Sequence, residues 1–409
     1  VDTGGLEPGD WTSRVRLRSL DVEPLEATAD LKVTVWAVRM PEEQPLRLCH
    51  WGYVHTSMLK DYPEEALDDQ VRHGTNVFVG LFYPQAQYDE EGNLVGDINF
   101  TAHDEYVKRH APHGMILFFN YQHALKGPGG LESEAYAKAH VQWLRLWVAR
   151  LKELGLGYED FALYPVDEPG LSDGLVERHL LMGKLAREAD PKILLYTDPV
   201  GRVTEEELHA MLPYVDIWCP NRNGLILDKT NASKLEIIKN SGATVWIYEC
   251  DHNAKHQSPL GYYRAQAWLA WHHGMTGIGF WSYCTSQDDP WFVPSLRHDY
   301  LLVYPGDGVV SSKRWEAVRD GVEDYAMLAA LREALKNRKP TAKPDDIEAA
   351  ERILTDYAEA VAQFCGLDDD DTVPGPDGLP AVRLVSDKRW EKIQSVRREI
   401  ARLLAVLSR

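Results

Sequence analysis

Short apolar segments alternate with stretches of helical spacing over the middle of the chain. Apolar runs of this kind, without an alternating polar face, are typical of strands buried on both sides in a parallel sheet. We predict strands over residues 46–53, 76–83, 115–121, 161–167, 193–197, 215–220, 244–250 and 277–283. Eight βα units predict a (β/α)8 TIM barrel, which is an α/β fold. The alternative, an open doubly wound sheet, would need a phosphate-binding glycine loop after its first strand, and Cys49-His50-Trp51-Gly52-Tyr53 is not such a loop.

The segments before and after the predicted barrel have different patterns. Residues 15–20 and 31–40 alternate apolar and polar positions, which predicts half-buried antiparallel strands in a β-sandwich remnant or a strand cap. Residues 311–337 predict a long amphipathic helix that completes the barrel, and 345–364 and 386–407 predict helices on its exterior. The predicted division is a β segment over 1–45, a barrel over 46–338 and a helical extension over 339–409. Val1 is expected to start a processed or truncated chain.

Two adjacent carboxylates, Asp167 and Glu168, end the fourth predicted strand and precede Pro169. Proline cannot donate a hydrogen bond to a sheet, so the strand is expected to stop here. The carboxyl ends of the strands form the ligand-binding face of a barrel. Two acids at that face predict acid–base catalysis on a neutral, polyhydroxylated substrate such as a sugar. Because successive strand side chains point to opposite faces, both acids can reach one ligand only if the backbone turns at the pair.

Polar and aromatic residues also end most of the other predicted strands. In a barrel they would meet at one mouth, and we predict that they form the substrate site. About half are expected to contact a ligand, because polar residues at strand ends also cap helices and satisfy backbone groups. The predicted substrate-binding residues are His50, Trp51, Tyr53, Asn120, Tyr121, Asp198, Asn221, Tyr248, Glu249, Trp281 and Tyr283, and His123, Asn223, Asp251 and His252 lie beside them.

Composition limits the class of ligand. The 409 residues carry a formal net charge of −19, which disfavours nucleic acid and anionic membranes as partners. Thirteen tryptophans, several of them at predicted strand ends, are suited to stacking on sugar rings. We therefore predict a glycan substrate, and the oligomeric state is left open.

Neither a metal nor another cofactor is predicted. The five cysteines have no CxxC spacing and indicate buried free thiols. The run from Asp368 to Asp371 is interpreted as a solvated acidic loop rather than a calcium site, since the glycine and final glutamate of an EF-hand are absent. No apolar run is long enough to span a membrane. Localisation is left open, with a secreted or periplasmic location favoured over a cytoplasmic one.

Three blocks of the sequence are informative when they are taken together. The first is Tyr164-Pro-Val-Asp-Glu-Pro169, and the second is Gly277-Ile-Gly-Phe-Trp-Ser-Tyr283. The third joins Tyr304-Pro-Gly-Asp-Gly to a helix that contains Ser312-Lys-Arg314 and Arg319-Asp-Gly-Val-Glu-Asp-Tyr325. Together these blocks resemble the catalytic domain of glycoside hydrolase family 123, the β-N-acetylgalactosaminidases and their uncharacterised relatives.

The resemblance implies a retaining, substrate-assisted mechanism. In it the 2-acetamido oxygen of the sugar attacks the anomeric carbon, Asp167 orients the acetamido group, and Glu168 is first acid and then base. Glu249, at the end of the seventh predicted strand, departs from the family pattern. It keeps open a double-displacement mechanism on another glycan, with Glu168 as acid/base and Glu249 as nucleophile. A third hypothesis is a carbohydrate-binding barrel without catalytic activity.

Overall fold

The computed structural model describes residues 5–19, 22–38, 40–250, 257–285, 290–291, 300–338, 340, 342–366, 372–374, 380–382 and 388–407. The chain divides into two compact units. One contains Gln44–Tyr325 and Ala358–Ser386, and the other contains Val1–Glu43, Ala326–Tyr357 and Asp387–Arg409. The predicted boundaries after residues 45 and 338 stay predictions.

The strands of the described residues are, in chain order, β1 (Gly9–Arg18), β2 (Glu26–Val35), β3 (Arg47–His50), β4 (Val77–Gly80), β5 (Gln85–Tyr88), β6 (Leu94–Asn99), β7 (Met115–Phe119), β8 (Leu125–Lys126), β9 (Phe161–Tyr164), β10 (Leu194–Thr197), β11 (Ile217–Trp218), β12 (Thr244–Val245), β13 (Ile247–Glu249), β14 (Gly277–Phe280), β15 (Val303–Gly306), β16 (Gly308–Ser311), β17 (Thr372–Pro374) and β18 (Pro380–Val382). The α-helices are α1 (Pro63–Arg72), α2 (Thr101–His110), α3 (Glu134–Glu153), α4 (Leu175–Ala189), α5 (Glu205–Met211), α6 (Ala232–Lys239), α7 (Ala265–His272), α8 (Lys313–Lys336), α9 (Pro344–Arg352), α10 (Ala358–Ala362) and α11 (Lys388–Leu407).

The main sheet is a closed parallel barrel. Its hydrogen-bonded order is β12-β11-β10-β9-β7-β4-β3-β14-β13, and every pair in it is parallel. Because β12 and β13 are two halves of one segment, separated only by Trp246, the order begins and ends on the same strand and the ring closes. All eight predicted strands are present, and the (β/α)8 prediction is confirmed. The open doubly wound alternative is excluded, since such a sheet has two free edges.

The barrel strands alternate between two apolar layers. Ala162 and Tyr164 of β9 belong to the apolar cluster inside the barrel. The buried residues of this cluster come from the first seven of the eight barrel strands. Phe161 and Leu163 belong instead to the cluster between the sheet and helices such as α3 and α4. This alternation follows from the period of two along a strand. It decides which side chains at the strand ends face the barrel axis.

The Arg-Asp-Gly block of α8 fastens this helix to α7. Arg264 is fully buried and pairs with Asp324 at 2.7 Å and with Asp320 at 3.1 Å. Trp268 donates from its indole nitrogen to Asp324 at 2.8 Å. At Gly321 a Cβ would lie 2.9 Å from the Arg264 carbonyl oxygen, so glycine allows the two helices to approach closely. The block therefore has a structural role, closing the helix layer after the last strand.

The other unit begins with the antiparallel pair β1 and β2. The predicted strands are present, but the prediction that they are half-buried is wrong, because nearly every residue of both strands is exposed. Arg402 of α11 bonds Asp346 of α9 at 2.9 Å within this unit. Among the described helices of the chain, none has an apolar stretch that could span a membrane. Asp368–Asp371 lie outside the described residues.

Candidate active site

A cavity of about 280 Å³ opens at the carboxyl ends of the barrel strands. The residues that line it lie at or just after the ends of β3, β7, β9, β10, β13 and β14, so residues far apart in the sequence meet at one place. The lining residues are Trp51, Tyr53, Phe119, Asp167, Glu168, Asp198, Tyr248, Cys250 and Trp281. Carboxylates on one side and aromatic rings around them are a surface that suits a sugar, which has polar hydroxyls at its rim and apolar C–H groups on its faces.

The backbone turns at the acidic pair. β9 ends at Tyr164, Val166 is buried, and Glu168 has a φ angle of +45°, in the left-handed region that side chains other than glycine rarely occupy. Tyr53 also has a positive φ angle, +43°, at the end of β3. Both residues line the cavity, and backbone strain of this kind concentrates at functional sites. The turn brings Asp167 and Glu168 into the same cavity.

Glu168 is bonded by a tyrosine from across the barrel. Tyr248 of β13 donates its hydroxyl hydrogen to Glu168 Oε1 at 2.5 Å. Burial raises the pKa of Glu168, as do the nearby carboxylates Asp167 and Glu249, whereas the bond from Tyr248 lowers it. The net effect is a pKa above the ordinary value for glutamate. A group with a raised pKa keeps its proton at higher pH and can act as an acid.

Asp167 shares a tyrosine with a third carboxyl group. The Tyr164 hydroxyl lies 2.8 Å from Asp167 Oδ1 and also bonds Asp198 Oδ2. The other oxygen of Asp198 accepts the backbone N–H of Glu168 at 3.1 Å. Asp198 is almost completely buried. The Asp167 side chain lines the cavity and is accessible to solvent there. Burial raises the pKa of both groups, and that of Asp198 well above its ordinary value.

Glu249 lies behind the cavity in a set of hydrogen bonds of its own. Oε2 lies 3.3 Å from Arg222 Nε and accepts the backbone N–H of Asn223 at 3.0 Å. Oε1 accepts the backbone N–H of Cys250 at 2.9 Å and a longer bond from Asn221 at 3.4 Å. Glu249 and Arg222 are both buried, and neither lines the cavity. Both carboxylate oxygens thus have partners in the protein.

Residues 131–331 match the model of the glycoside hydrolase 123 catalytic domain. This match identifies a glycoside hydrolase 123 catalytic domain in the chain. The matched segment contains the acidic pair, the strands from β9 to β14 and most of α8, and the protein is therefore a glycoside hydrolase. No curated protein matches the chain.

Solved structures similar to this glycoside hydrolase share little sequence identity with it. An endo-1,4-β-D-mannanase from Thermotoga petrophila has 13% identity and a TM-score of 0.45, over 68% of this chain and 99% of that one. The xylanase TsXylA from Thermoanaerobacterium saccharolyticum has 11% identity and a TM-score of 0.42, over 68% and 96%. A β-D-glucuronidase from Dictyoglomus thermophilum has 11% identity and a TM-score of 0.39, over 76% and 57%.

Seven of the predicted site residues of this family 123 enzyme lie together around the cavity. They are the acidic pair Asp167 and Glu168 with Trp51, Tyr53, Asp198, Tyr248 and Trp281. Trp51 and Tyr248 have ring centroids 5.8 Å apart, and Trp281 packs against Tyr300 at 4.3 Å. Their roles in binding and catalysis stay predictions that the geometry makes testable.

The remaining predicted contacts do not reach the cavity lining. His50 and Tyr283 stack on each other behind the sheet, where His50 bonds Thr75 at 2.7 Å and Tyr283 bonds Asp69 at 2.7 Å. Tyr121 is fully buried against α3, because it follows a turn at Asn120, which has a φ angle of +49°. In the described structure His50, Tyr121 and Tyr283 therefore lie outside the cavity lining, and their contacts with substrate stay predictions.

Four further predicted positions have other roles or no described contact. Asn120 donates its backbone N–H to Tyr164, and Asn221 bonds the backbone N–H of Gly224 at 2.8 Å as well as Glu249. His123 and Asn223 are exposed side chains outside the lining set. Asp251 and His252 lie outside the described residues.

Sequence reasoning missed three residues of the site. Phe119 and Cys250 line the cavity, and Tyr164 links Asp167 to Asp198. Tyr164 could have been found by its position, since it has the same strand parity as the inward-facing Ala162. Among the described residues, no group of three or more His, Cys, Asp or Glu side chains is arranged to hold a metal ion.

Proposed function

We propose that this glycoside hydrolase cleaves β-linked N-acetylhexosamine, with N-acetylgalactosamine as the preferred sugar, and that it retains the anomeric configuration by substrate assistance. One observation carries the proposal. Asp167 and Glu168 enter the same aromatic-lined cavity, whereas Glu249 has both oxygens bonded by the protein outside that cavity. A mechanism that needs two carboxyl groups at the sugar therefore has Asp167 as the available partner for Glu168.

In the first step the acetamido carbonyl oxygen forms a bond to the anomeric carbon. The glycosidic C–O bond breaks as Glu168 transfers its proton to the leaving oxygen, giving an alcohol and an oxazolinium ion. In the second step water attacks the anomeric carbon and gives a proton to Glu168. The oxazolinium ring opens to restore the acetamido group, and the two inversions leave the configuration retained.

The two acids have different tasks in this scheme. Glu168 must hold a proton before the first step, and its raised pKa favours that state. Asp167 must be ionised to accept a hydrogen bond from the acetamido N–H and to stabilise the positive charge of the oxazolinium. Burial raises the pKa of Asp167, and the hydrogen bond from Tyr164 opposes this rise, favours the ionised form and fixes the orientation of the carboxylate.

Aryl glycosides test the substrate and the mechanism together. We expect turnover of aryl β-GalNAc, slower turnover of aryl β-GlcNAc and no turnover of aryl β-galactoside, which lacks the acetamido group. A thiazoline analogue of the oxazolinium should inhibit competitively. Cleavage of the plain galactoside without inhibition by the thiazoline would refute substrate assistance and favour double displacement. Tight binding of glycans without hydrolysis of any substrate would favour a binding barrel.

Substitutions separate the roles of the acids. Glu168→Gln should lower kcat by about 10²–10⁴-fold for glycosides with poor leaving groups, the usual contribution of a general acid, and far less for activated aryl leaving groups. Asp167→Asn should lower kcat for both kinds of N-acetyl substrate. Glu177→Gln and Asp173→Asn change exposed acids in the segment that follows and serve as matched controls. Equal loss for good and poor leaving groups in Glu168→Gln would remove this residue as the acid.

A further inference from the structure

The Tyr164 hydroxyl stands between two carboxyl groups and has one hydrogen to donate. It lies 2.8 Å from Asp167 Oδ1 and is bonded to Asp198 Oδ2. If both carboxyl groups were ionised, only one of these two contacts could contain a hydrogen, and the other would place two oxygen lone pairs against each other. Both contacts are hydrogen bonds only when one of the two carboxyl groups carries a proton.

Burial and hydrogen bonding distinguish the two carboxyl groups. Asp198 is 1% exposed, whereas Asp167 is exposed at the cavity surface. A charge is more costly in the buried position, where its solvation by water is lost. The single backbone N–H bond to Asp198, from Glu168, occupies Oδ1 and leaves Oδ2 for the contact with Tyr164.

The surroundings of Asp198 add further negative or neutral groups. The titratable residues that face it are Cys49 and Tyr53 from β3 and its loop, Tyr164, Asp167 and Glu168 from β9 and its loop, Tyr196 from β10, Cys219 after β11, and Tyr248 from β13. This set of described residues contains no cation. Ionised Asp198 would therefore be a second negative charge beside ionised Asp167, and a third once Glu168 has given up its proton, without a counter-ion in the set.

We propose that Asp198 is a neutral carboxylic acid that donates its hydrogen to Tyr164, which in turn donates to Asp167, so that Asp198 is a positioning residue for Asp167. This inference rests on the proposed function, because it assigns Asp167 the ionised state that the acetamido group requires. The chain Asp198–Tyr164–Asp167 fixes the orientation of the Asp167 carboxylate and keeps its second oxygen free for the substrate. Burial raises the pKa of Asp198 well above its ordinary value, in agreement with this arrangement.

Infrared spectroscopy tests the location of the proton without any substrate. Difference spectra near neutral pH compare the wild-type enzyme with Asp198→Asn, Asp167→Asn and the control Asp173→Asn. We expect one carbonyl stretching band of a protonated carboxylic acid, separate from the band that Glu168→Gln removes, to disappear in Asp198→Asn and to persist in Asp167→Asn and Asp173→Asn. Loss of the band in Asp167→Asn would overturn the proposal. Since this readout needs no turnover, it decides the protonation of Asp198 even if the enzyme fails on N-acetyl substrates.

Kinetics then test the positioning role. Asparagine can donate to Tyr164 and accept the Glu168 N–H, whereas alanine can do neither, so Asp198→Asn should retain more of kcat for N-acetyl substrates than Asp198→Ala and should leave the acid limb of the pH profile in place. Tyr164→Phe removes the bond to Asp167 and should lower kcat for N-acetyl substrates by about 10–100-fold, the loss expected for a hydrogen bond to a charged group. An acid limb that moves more than one pH unit lower in Asp198→Asn would show that Asp198 is charged and Asp167 protonated, against the proposal.

Discussion

Replacing Glu249 by glutamine distinguishes two possible roles of this residue, a structural carboxylate and a catalytic nucleophile. In the structure Glu249 is the buried partner of Arg222 and also accepts the backbone N–H groups of Asn223 and Cys250. Glutamine keeps one acceptor oxygen but turns an N–H₂ group toward donors on the other side. The substitution also removes the negative charge that lies 3.3 Å from the buried Arg222 guanidinium. We therefore expect a loss of stability with little change in the chemical step.

The size of the loss follows from these contacts. Breaking a buried ion pair from one side costs about 3–5 kcal/mol, because the remaining charge stays buried. This is a large fraction of the roughly 5–15 kcal/mol that stabilises a typical folded protein. At about 2 °C per kcal/mol for a domain of this size, Tm should fall by roughly 6–10 °C. The surface pair of Glu236 and Lys239 gives a control, since Glu236→Gln should cost about 0–1 kcal/mol.

The assay combines thermal unfolding with kinetics measured well below the Tm of the variant. The expected result is a large fall in Tm and a kcat for aryl β-GalNAc within about fivefold of wild type, which corresponds to about 1 kcal/mol. A nucleophile would behave in the opposite way, with Tm nearly unchanged and kcat reduced by several orders of magnitude. That second pattern would refute the structural role of Glu249 and restore the double-displacement mechanism.

Two further substitutions test the electrostatics of the site and the packing of the fold. Tyr248→Phe removes a hydrogen bond that lowers the pKa of Glu168, so the ionised form of Glu168 is disfavoured. The basic limb of the kcat/KM profile should therefore move to higher pH. A basic limb that stays in place or moves to lower pH would contradict the assignment of Glu168 as the acid. Gly321→Ala places a methyl group 2.9 Å from the carbonyl oxygen of Arg264 and should destabilise the barrel by about 1–3 kcal/mol. Urea unfolding measures this loss, and kcat of the folded protein should not change. Unchanged stability would show that the two helices can move apart at little cost.

The barrel could be predicted from the sequence because its strands are buried on both faces. Such strands appear as apolar runs that can be counted, and all eight are present in the closed sheet. The alternating pattern of the N-terminal hairpin led to a wrong prediction of its burial. Alternation predicts a strand but does not show that anything covers its apolar face. Exposed residues such as Trp11 and Leu17 illustrate the difference.

The direction of a side chain at a strand end depends on the parity of the strand and on any turn that follows it. Trp51 faces the cavity, whereas its neighbour His50 faces the helix layer, as the period of two requires. Tyr121 follows Asn120, whose left-handed backbone redirects the chain toward α3. Such angles depend on tertiary contacts, so the sequence could place a residue at a strand end without giving the direction of its side chain.

The acidic pair depends on the same kind of turn, and the protein holds that turn from several sides. The backbone hydrogen bonds of the segment include three from other parts of the barrel: the Tyr164 carbonyl is bonded by the Asn120 N–H at 2.8 Å, the Pro165 carbonyl by Gln122 at 2.9 Å, and the Glu168 N–H by Asp198 at 3.1 Å. A positive φ angle at a residue other than glycine costs about 1–3 kcal/mol, and three bonds worth about 0.5–1.5 kcal/mol each are enough to offset it.

These bonds show how residues around the acidic pair hold it in the cavity. Without the turn at Glu168, alternation along an extended strand would direct Asp167 and Glu168 to opposite faces, and only one could reach the cavity. Asp198 therefore acts on both acids, by fixing the backbone of Glu168 through Oδ1 and by reaching Asp167 through Tyr164 with Oδ2. The placement of two adjacent carboxyl groups in one cavity thus depends on a third carboxyl group from the next strand.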